Sequence, residues 1–324
     1  MGDELTTELN LESIRSAHRR IADVIHRTPV MTSASVDERL NASVFFKCEN
    51  LQKTGAFKAR GATNAVFELG RAQAAQGVVT HSSGNHAAAL ARAARLRDIP
   101  AHIVMPRNAP QSKQDSVRRY GGQIVLCEAT LAARESTAAA LQAKTGARLV
   151  HPYNDLSVMA GQGTTALELM EQAPDLDAII CPVGGGGHLA GIAVAAKALN
   201  PAILVIGAEP AGADDAARSF KAGRIFPQLD PHSIADGLLS SLGSLSFAHI
   251  QKHVDDIVTV SEGEIIASMR SIWEILKIIV EPSGAVGFAA AAQIAALRPR
   301  GRIGVVLTGG NLDLNRLPWQ SENP

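Results

Sequence analysis

Net charge is absent from this sequence: 31 Lys and Arg balance 31 Asp and Glu over 324 residues. No basic stripe is offered to nucleic acid or to an anionic membrane. Any anionic ligand must therefore be held locally, by a few placed groups. Cysteine is equally sparse. Cys48, Cys127 and Cys181 lie inside apolar runs, at spacings that fit neither a zinc pattern nor a disulfide framework. Three buried thiols suit a reducing compartment. No apolar run reaches membrane-spanning length and no charged-then-apolar leader is legible, so a cytoplasmic protein is expected. Met1 to Thr6 formally fits a myristoylation pattern. No polybasic patch follows it, and a single acyl chain anchors weakly.

Glycine, by contrast, is plentiful at 28 residues, and it clusters, as it does where backbone must approach a ligand closely. A hydrophobic fraction of 46% is enough for a full core, in one large α/β unit or two sub-domains. Asn10 reads as an N-cap ahead of a helical face of Leu11, Ile14, Ile21 and Ile25, with Pro29 as the stop. Apolar runs then alternate with Ala/Leu-rich helical ones. Strands are expected at 44–48, 77–80, 102–105, 124–127, 148–151, 178–183, 203–208, 257–260 and 303–307. Helices between them are expected to include 85–96, 131–144, 159–171, 189–199 and 265–277. Most of the strand runs are continuously apolar, the pattern of strands covered on both faces. Strand–helix alternation implies parallel sheet with right-handed crossovers. Residues 220–233 read as a long surface loop. Ligands in such folds bind where strands end and helices begin.

Four of those turns are unusual. His81-Ser82-Ser83-Gly84-Asn85-His86 follows one strand. Gly184, Gly185, Gly186 and Gly187 follow another, ahead of His188. Glu209, Ala213 and Asp215 fall after a third, and Thr308-Gly309-Gly310-Asn311 after a fourth. Four glycines opening a helix expose successive N–H groups, a nest for phosphate at the positive end of a helix dipole. The run from Gly185 to Ala190, with Glu209 further on, also fits a dinucleotide pattern. On this segment alone a nicotinamide or flavin oxidoreductase stays open.

The run Lys53-Thr54-Gly55-Ala56-Phe57-Lys58-Ala59-Arg60-Gly61 decides between them. Together with Ser83-Gly84-Asn85-His86 and the tetraglycine, it resembles the fold-type II pyridoxal-phosphate (PLP) enzymes, within them the serine racemase and serine/threonine dehydratase branch. The likeness extends to Val280-Glu281-Pro282-Ser283-Gly284-Ala285 and to residues 307–314. It implies an α/β fold of the tryptophan synthase β type, with two open, twisted, mostly parallel sheets flanked by helices. A large PLP-binding domain would comprise 1–76 and 155–324, and a small domain 77–154. Lys58 would hold PLP as a Schiff base and, once released by an amino acid, remove its Cα proton. Phe57 would pack beside the cofactor, Asn85 would meet its ring hydroxyl, and Gly184 to Gly187 its phosphate. Thr308 would meet the pyridine nitrogen, a neutral partner that suits elimination over transamination.

The same likeness places the substrate carboxylate on Ser82, Ser83, Gly84, Asn85 and His86, an anion site at a helix start. Ser83 has a second role open to it, handling a proton on the face opposite Lys58. Arg134 matches a substrate-contacting arginine and could grip a second carboxylate bidentately; Ser240 is a further substrate-side candidate. Glu209, Ala213 and Asp215 would form a structural site for Mg2+ or Ca2+; the plainer alternative is an acidic turn with a cap at Asp214 or Asp215. His188, Leu239 and Ala88 depart from the animal racemase pattern, which counts against nucleotide activation. The expected reaction is loss of water from serine, threonine, 3-hydroxyaspartate or a phenylserine, giving a 2-oxo acid and ammonia. Racemisation is the alternative. Residues 307–314 fall near the end of the sequence, so no appended regulatory domain is expected. The likeness also implies a homodimer.

Overall fold

The computed structural model describes residues 8–320, so Met1 to Thr6 lie outside the described part. Among the described residues ten strands form two sheets. They are β1 (Val30–Met31), β2 (Ser43–Lys47), β3 (Val78–His81), β4 (Ala101–Pro106), β5 (Gln123–Cys127), β6 (Arg148–Leu149), β7 (Ala178–Pro182), β8 (Leu204–Pro210), β9 (Asp256–Val260) and β10 (Arg302–Val306). The larger sheet has the order β1-β2-β10-β7-β8-β9, and the smaller β5-β4-β3-β6. Every neighbouring pair is parallel except β1 with β2. All five residues of β7 are buried, as a strand covered by helices on both faces must be.

All nine anticipated strands are present. β1 was not anticipated, because two residues are too few to show a period; it is placed by pairing Val30 with Lys47 and Met31 with Phe46. The five anticipated helices are also present, and Asn85–Leu96 matches at both ends. Asn10 caps its helix reciprocally: Ser13 N donates to Asn10 Oδ1 at 2.9 Å and Asn10 N to Ser13 Oγ at 3.0 Å. Pro29 is not the stop, however. The helix Leu11–Ile21 ends well before it. Ile25 keeps the apolar spacing because it stays buried after the backbone has left the helix. The expected loop at 220–233 begins late as well, since the helix Asp215–Ala222 runs through Phe220 and closes on Gly223 at φ 66°.

A buried ionic cluster ties β2 to the helices Lys58–Phe67 and Leu156–Gln172. Arg60 donates to Glu49 and Glu168 at 2.7 Å each, and Lys47 Nζ donates to Glu168 at 2.7 Å. All four side chains are almost wholly buried. Burial alone would raise Glu49 and Glu168, but the Arg60 guanidinium beside them holds both below the usual carboxylate range. Arg60 stands on the helix Lys58–Phe67, so this cluster fixes the element that starts at Lys58.

Candidate active site

The carboxyl ends of β3, β7 and β10 open on one cavity of about 420 Å3 between the sheets. Lys58, Phe57, Ser82, Ser83, Gly84, Asn85, His86, Arg134, Gly184, Gly185, Gly186, Gly187, Ser240 and Thr308 all line it. Sequence reasoning had drawn these residues from six separate segments, and the fold brings them to one place.

Lys58 opens its helix, and its Nζ donates to the Pro152 carbonyl at 2.8 Å. Among the described residues no carboxylate touches it, and burial lowers its pKa to about 8. The amine is therefore available as a nucleophile and base closer to neutral pH than a solvated lysine. Phe57 N donates to the Thr308 carbonyl at 3.0 Å, which joins the lysine loop to the β10 turn. The Phe57 ring stacks on His188 with centroids 3.9 Å apart and 6° between planes. His188 Nε2 lies 3.1 Å from Thr165 Oγ1, and burial keeps that imidazole neutral.

The glycine loop is a cradle of free donors. Among the described residues, the N–H groups of Gly184, Gly185 and Gly186 have no hydrogen-bond acceptor, while the Gly185 carbonyl is tied to Ser246 Oγ at 2.6 Å. A Cβ at Gly185 would overlap the Tyr153 ring, and one at Gly187 the Tyr153 carbonyl. Gly186, at φ 88°, takes a conformation that L side chains rarely adopt. Helix Gly187–Leu199 starts here, so the orphaned donors coincide with a dipole's positive end. This is the chemistry a phosphate needs, and with an unpaired lysine in the same cavity it fits a pyridoxal-phosphate ring. Glu209, the acid that a dinucleotide would have required for its ribose, is directed elsewhere.

Asn85 is the first residue of its helix. Its Nδ2 donates to Glu281 Oε1 at 2.9 Å, and its Oδ1 accepts from Asn311 Nδ2 at 2.9 Å. His86 is buried, with Nε2 3.2 Å from the Val150 carbonyl. Thr308 is buried, and its Oγ1 is 3.4 Å from the Ser283 carbonyl. The side chain of Arg134, on the helix Leu131–Thr145, makes no hydrogen bond or ion pair among the described residues, although it lines the cavity. Several lining residues had not been assigned roles: Glu281, Tyr153, His81, Asn311 and the pair Lys113–Asp236, which spans 2.6 Å across the cleft. Glu281 at least stood in a quoted motif. Lys113 and Asp236 carry no signal beyond being charges in polar stretches.

Glu209 and Asp215 are both fully buried, away from the cavity wall. Glu209 accepts from Ala216 N at 3.0 Å and Ala217 N at 2.9 Å, so it caps the helix Asp215–Ala222 from the end of β8. The side chains of Asp214 and Asp215 do not make that cap. Asp215 accepts from Gln228 Nε2 at 3.2 Å and Leu242 N at 3.3 Å. Burial pushes Glu209 up to about 8 and Asp215 up to about 6. Two buried acids that make no ion pair among the described residues suit a hard divalent ion. Among the described residues no group of three or more His, Cys, Asp and Glu could hold a metal ion by itself, so such an ion would also need the Ala213 carbonyl.

The family described as pyridoxal-phosphate dependent enzyme matches residues 21–309. The chain is 53% identical to a beta-hydroxyaspartate dehydratase of Paracoccus denitrificans, covering 95% of this chain and 98% of that one. It is 53% identical to a serine racemase of Arabidopsis thaliana, covering 95% of each. The solved maize serine racemase superposes with a TM-score of 0.93 at 50% identity, over 94% of each chain. Among the described residues no helix is long and apolar enough to cross a membrane. The chain belongs to the pyridoxal-phosphate-dependent enzymes of fold type II, in the branch that holds the serine racemases and the serine/threonine dehydratases.

Proposed function

We propose that this enzyme is a dehydratase of β-hydroxy-α-amino acids, with 3-hydroxyaspartate as its preferred substrate. The carrying observation is Arg134: a guanidinium lining the cavity with no ion-pair partner among the described residues. A buried or half-buried arginine left without a partner is costly unless a ligand supplies one. The likeness to a protein named beta-hydroxyaspartate dehydratase points the same way.

When bound, pyridoxal phosphate supplies the electron sink that makes a Cα–H acidic. The protein's own groups do the rest. The glycine loop holds the phosphate, and Phe57, Asn85 and Thr308 fix the ring. Ser82, Ser83 and Gly84, at the start of the helix Asn85–Leu96, hold the α-carboxylate, with His86 behind them. Arg134, with Ser240 nearby in the wall, holds the β-carboxylate. Lys58 takes the Cα proton, the β-hydroxyl departs as water, and hydrolysis yields a 2-oxo acid and ammonium. Glu209, Asp215 and the Ala213 carbonyl hold a structural Mg2+ or Ca2+, outside the reacting centre.

A racemase is the second reading. Its support is the Ser83 hydroxyl, which shares the cavity with Lys58 and is not hydrogen-bonded among the described residues, together with the relatives named serine racemase. One panel separates the readings: 3-hydroxyaspartate, serine, threonine and phenylserine, scored for 2-oxo acid and for chirality, in the wild type and in Arg134→Met. A charge-assisted contact is worth about 1.5–3 kcal/mol, or roughly 10- to 150-fold. Arg134→Met should lose that much kcat/KM on 3-hydroxyaspartate and little on serine. Equal losses on both, or a wild type that only racemises, would remove the proposal.

A further inference from the structure

Glu281 is the buried acid of the cavity that the reaction above leaves without a task. It is 5% exposed, at the turn into the helix Pro282–Leu297. Its Oε1 accepts from Asn85 Nδ2 at 2.9 Å and its Oε2 from Asn311 N at 3.0 Å. Asn311 Nδ2 in turn donates to Asn85 Oδ1 at 2.9 Å and to the Thr54 carbonyl at 2.7 Å. The backbone closes the same knot, with Glu281 N donating to the Gly309 carbonyl at 3.0 Å and Gly310 N to the Gly55 carbonyl at 2.9 Å. A Cβ at Gly309 would overlap the Glu281 carboxyl, so this glycine is what lets the acid in.

The knot settles which way the Asn85 amide points. Its oxygen faces a donor, Asn311 Nδ2, and one of its two N–H groups faces an acceptor, Glu281. Exchanging the two ends would set Nδ2 against Nδ2 and oxygen against carboxylate, two repulsive contacts inside a low-dielectric site. With the amide held this way, its remaining N–H is the side-chain donor of Asn85 left for a ligand. The charged groups acting on Glu281 are Asp236 and, more weakly, Lys113, which are paired with each other across the cleft. No cation contacts the carboxyl among the described residues, and burial pushes its pKa up to about 8.

We propose that Glu281 is a positioning residue for the cofactor's ring hydroxyl: it holds Asn85 with an N–H directed at that oxygen, and thereby sets where the proton rests between the ring oxygen and the Lys58 nitrogen. The role belongs to any reaction run on this cofactor, so it stands whether the enzyme dehydrates or racemises. A glutamine at 281 keeps the size but has one oxygen for two donors, so either Asn85 or Asn311 loses its acceptor.

The holoenzyme carries its own readout, the visible absorption of the Lys58-bound cofactor. Titrated with pH, Glu281→Gln should move the midpoint of that band by about one pH unit or more, the scale of one lost charge-assisted contact. The cofactor dissociation constant, read by fluorescence, should weaken about tenfold. Glu281→Asp keeps an acid and should lie closer to the wild type than the glutamine variant. Asn311→Ala, which frees the Asn85 oxygen without touching the acid, should shift the band in the same sense and by less; it also serves if Glu281→Gln does not fold. A lowered melting temperature with an unmoved midpoint would mean that Glu281 is only a structural strut, and would overturn the proposal. So would an aspartate variant no closer to the wild type than glutamine.

Discussion

Lys58 does its work by lacking a partner. Elsewhere in the core, buried cations are matched: Arg60 and Lys47 share Glu49 and Glu168. Among the described residues Lys58 Nζ meets the Pro152 carbonyl and the face of the Phe57 ring but no carboxylate, so desolvation lowers its pKa to about 8. The neutral amine is the form that condenses with an aldehyde. Below pH 8 the ammonium dominates, and each unit of pH raises the reactive fraction about tenfold. The rate at which apoenzyme captures pyridoxal phosphate should therefore climb to about pH 8 and then level off. Stopped-flow absorbance would show this, and a rate still climbing towards pH 10 would mean that the lysine is solvated. The tetraglycine and Ser82–Asn85 were legible because each falls where an apolar strand run stops, and Lys58 through the family resemblance that residues 53–61 carry. Tyr153 and the role of Glu281 were not, because what defines them is the company of segments remote in sequence.

At the scale of elements, the parallel strands announced themselves through unbroken apolar runs, since helices cover both of their faces. The failures came where periodicity and backbone part company: β1 is held by two pairs alone, and Ile25 is buried outside a helix. The unit from β8 through Ala213 to the helix Asp215–Ala222 shows what spacing cannot convey. Glu209 reaches past the turn to cap that helix, and Asp215 holds Gln228 and Leu242 of the segment walling the cavity. Both acids are raised by burial, a cost that a divalent cation would offset. A ligand present at a hundred times its dissociation constant stabilises the native state by about 2.7 kcal/mol. Mg2+ or Ca2+ added to chelator-treated protein should raise the melting temperature by several degrees, and in Glu209→Gln that increment should vanish. Identical melting with EDTA, Mg2+ and Ca2+ would leave the unit as a capped turn.

Across the whole molecule, the smaller sheet interrupts the larger one in sequence: β3 to β6 lie between β2 and β7. The halves of the larger unit are rejoined by ions as well as by packing. Lys47, Glu49 and Arg60 precede the interruption, and Glu168 follows it. Glu168→Gln leaves two buried cations facing one carboxylate, and breaking a buried pair from one side typically costs about 3–5 kcal/mol. The loss has a pH signature. Glu168 is held below its ordinary value of 4.5 in the folded chain, by Arg60 and Lys47 acting against burial. A carboxyl depressed in the folded state stabilises fully above its unfolded pKa, and that stability is lost as pH falls through the folded one. Wild type and variant should therefore differ most above about pH 4.5 and converge in more acid solution, where the wild-type glutamate is protonated too. Denaturant unfolding at neutral and acid pH would check this. A gap that stayed constant with pH would mean that the variant suffers from packing and not from charge, and that the two halves are joined by the apolar core alone.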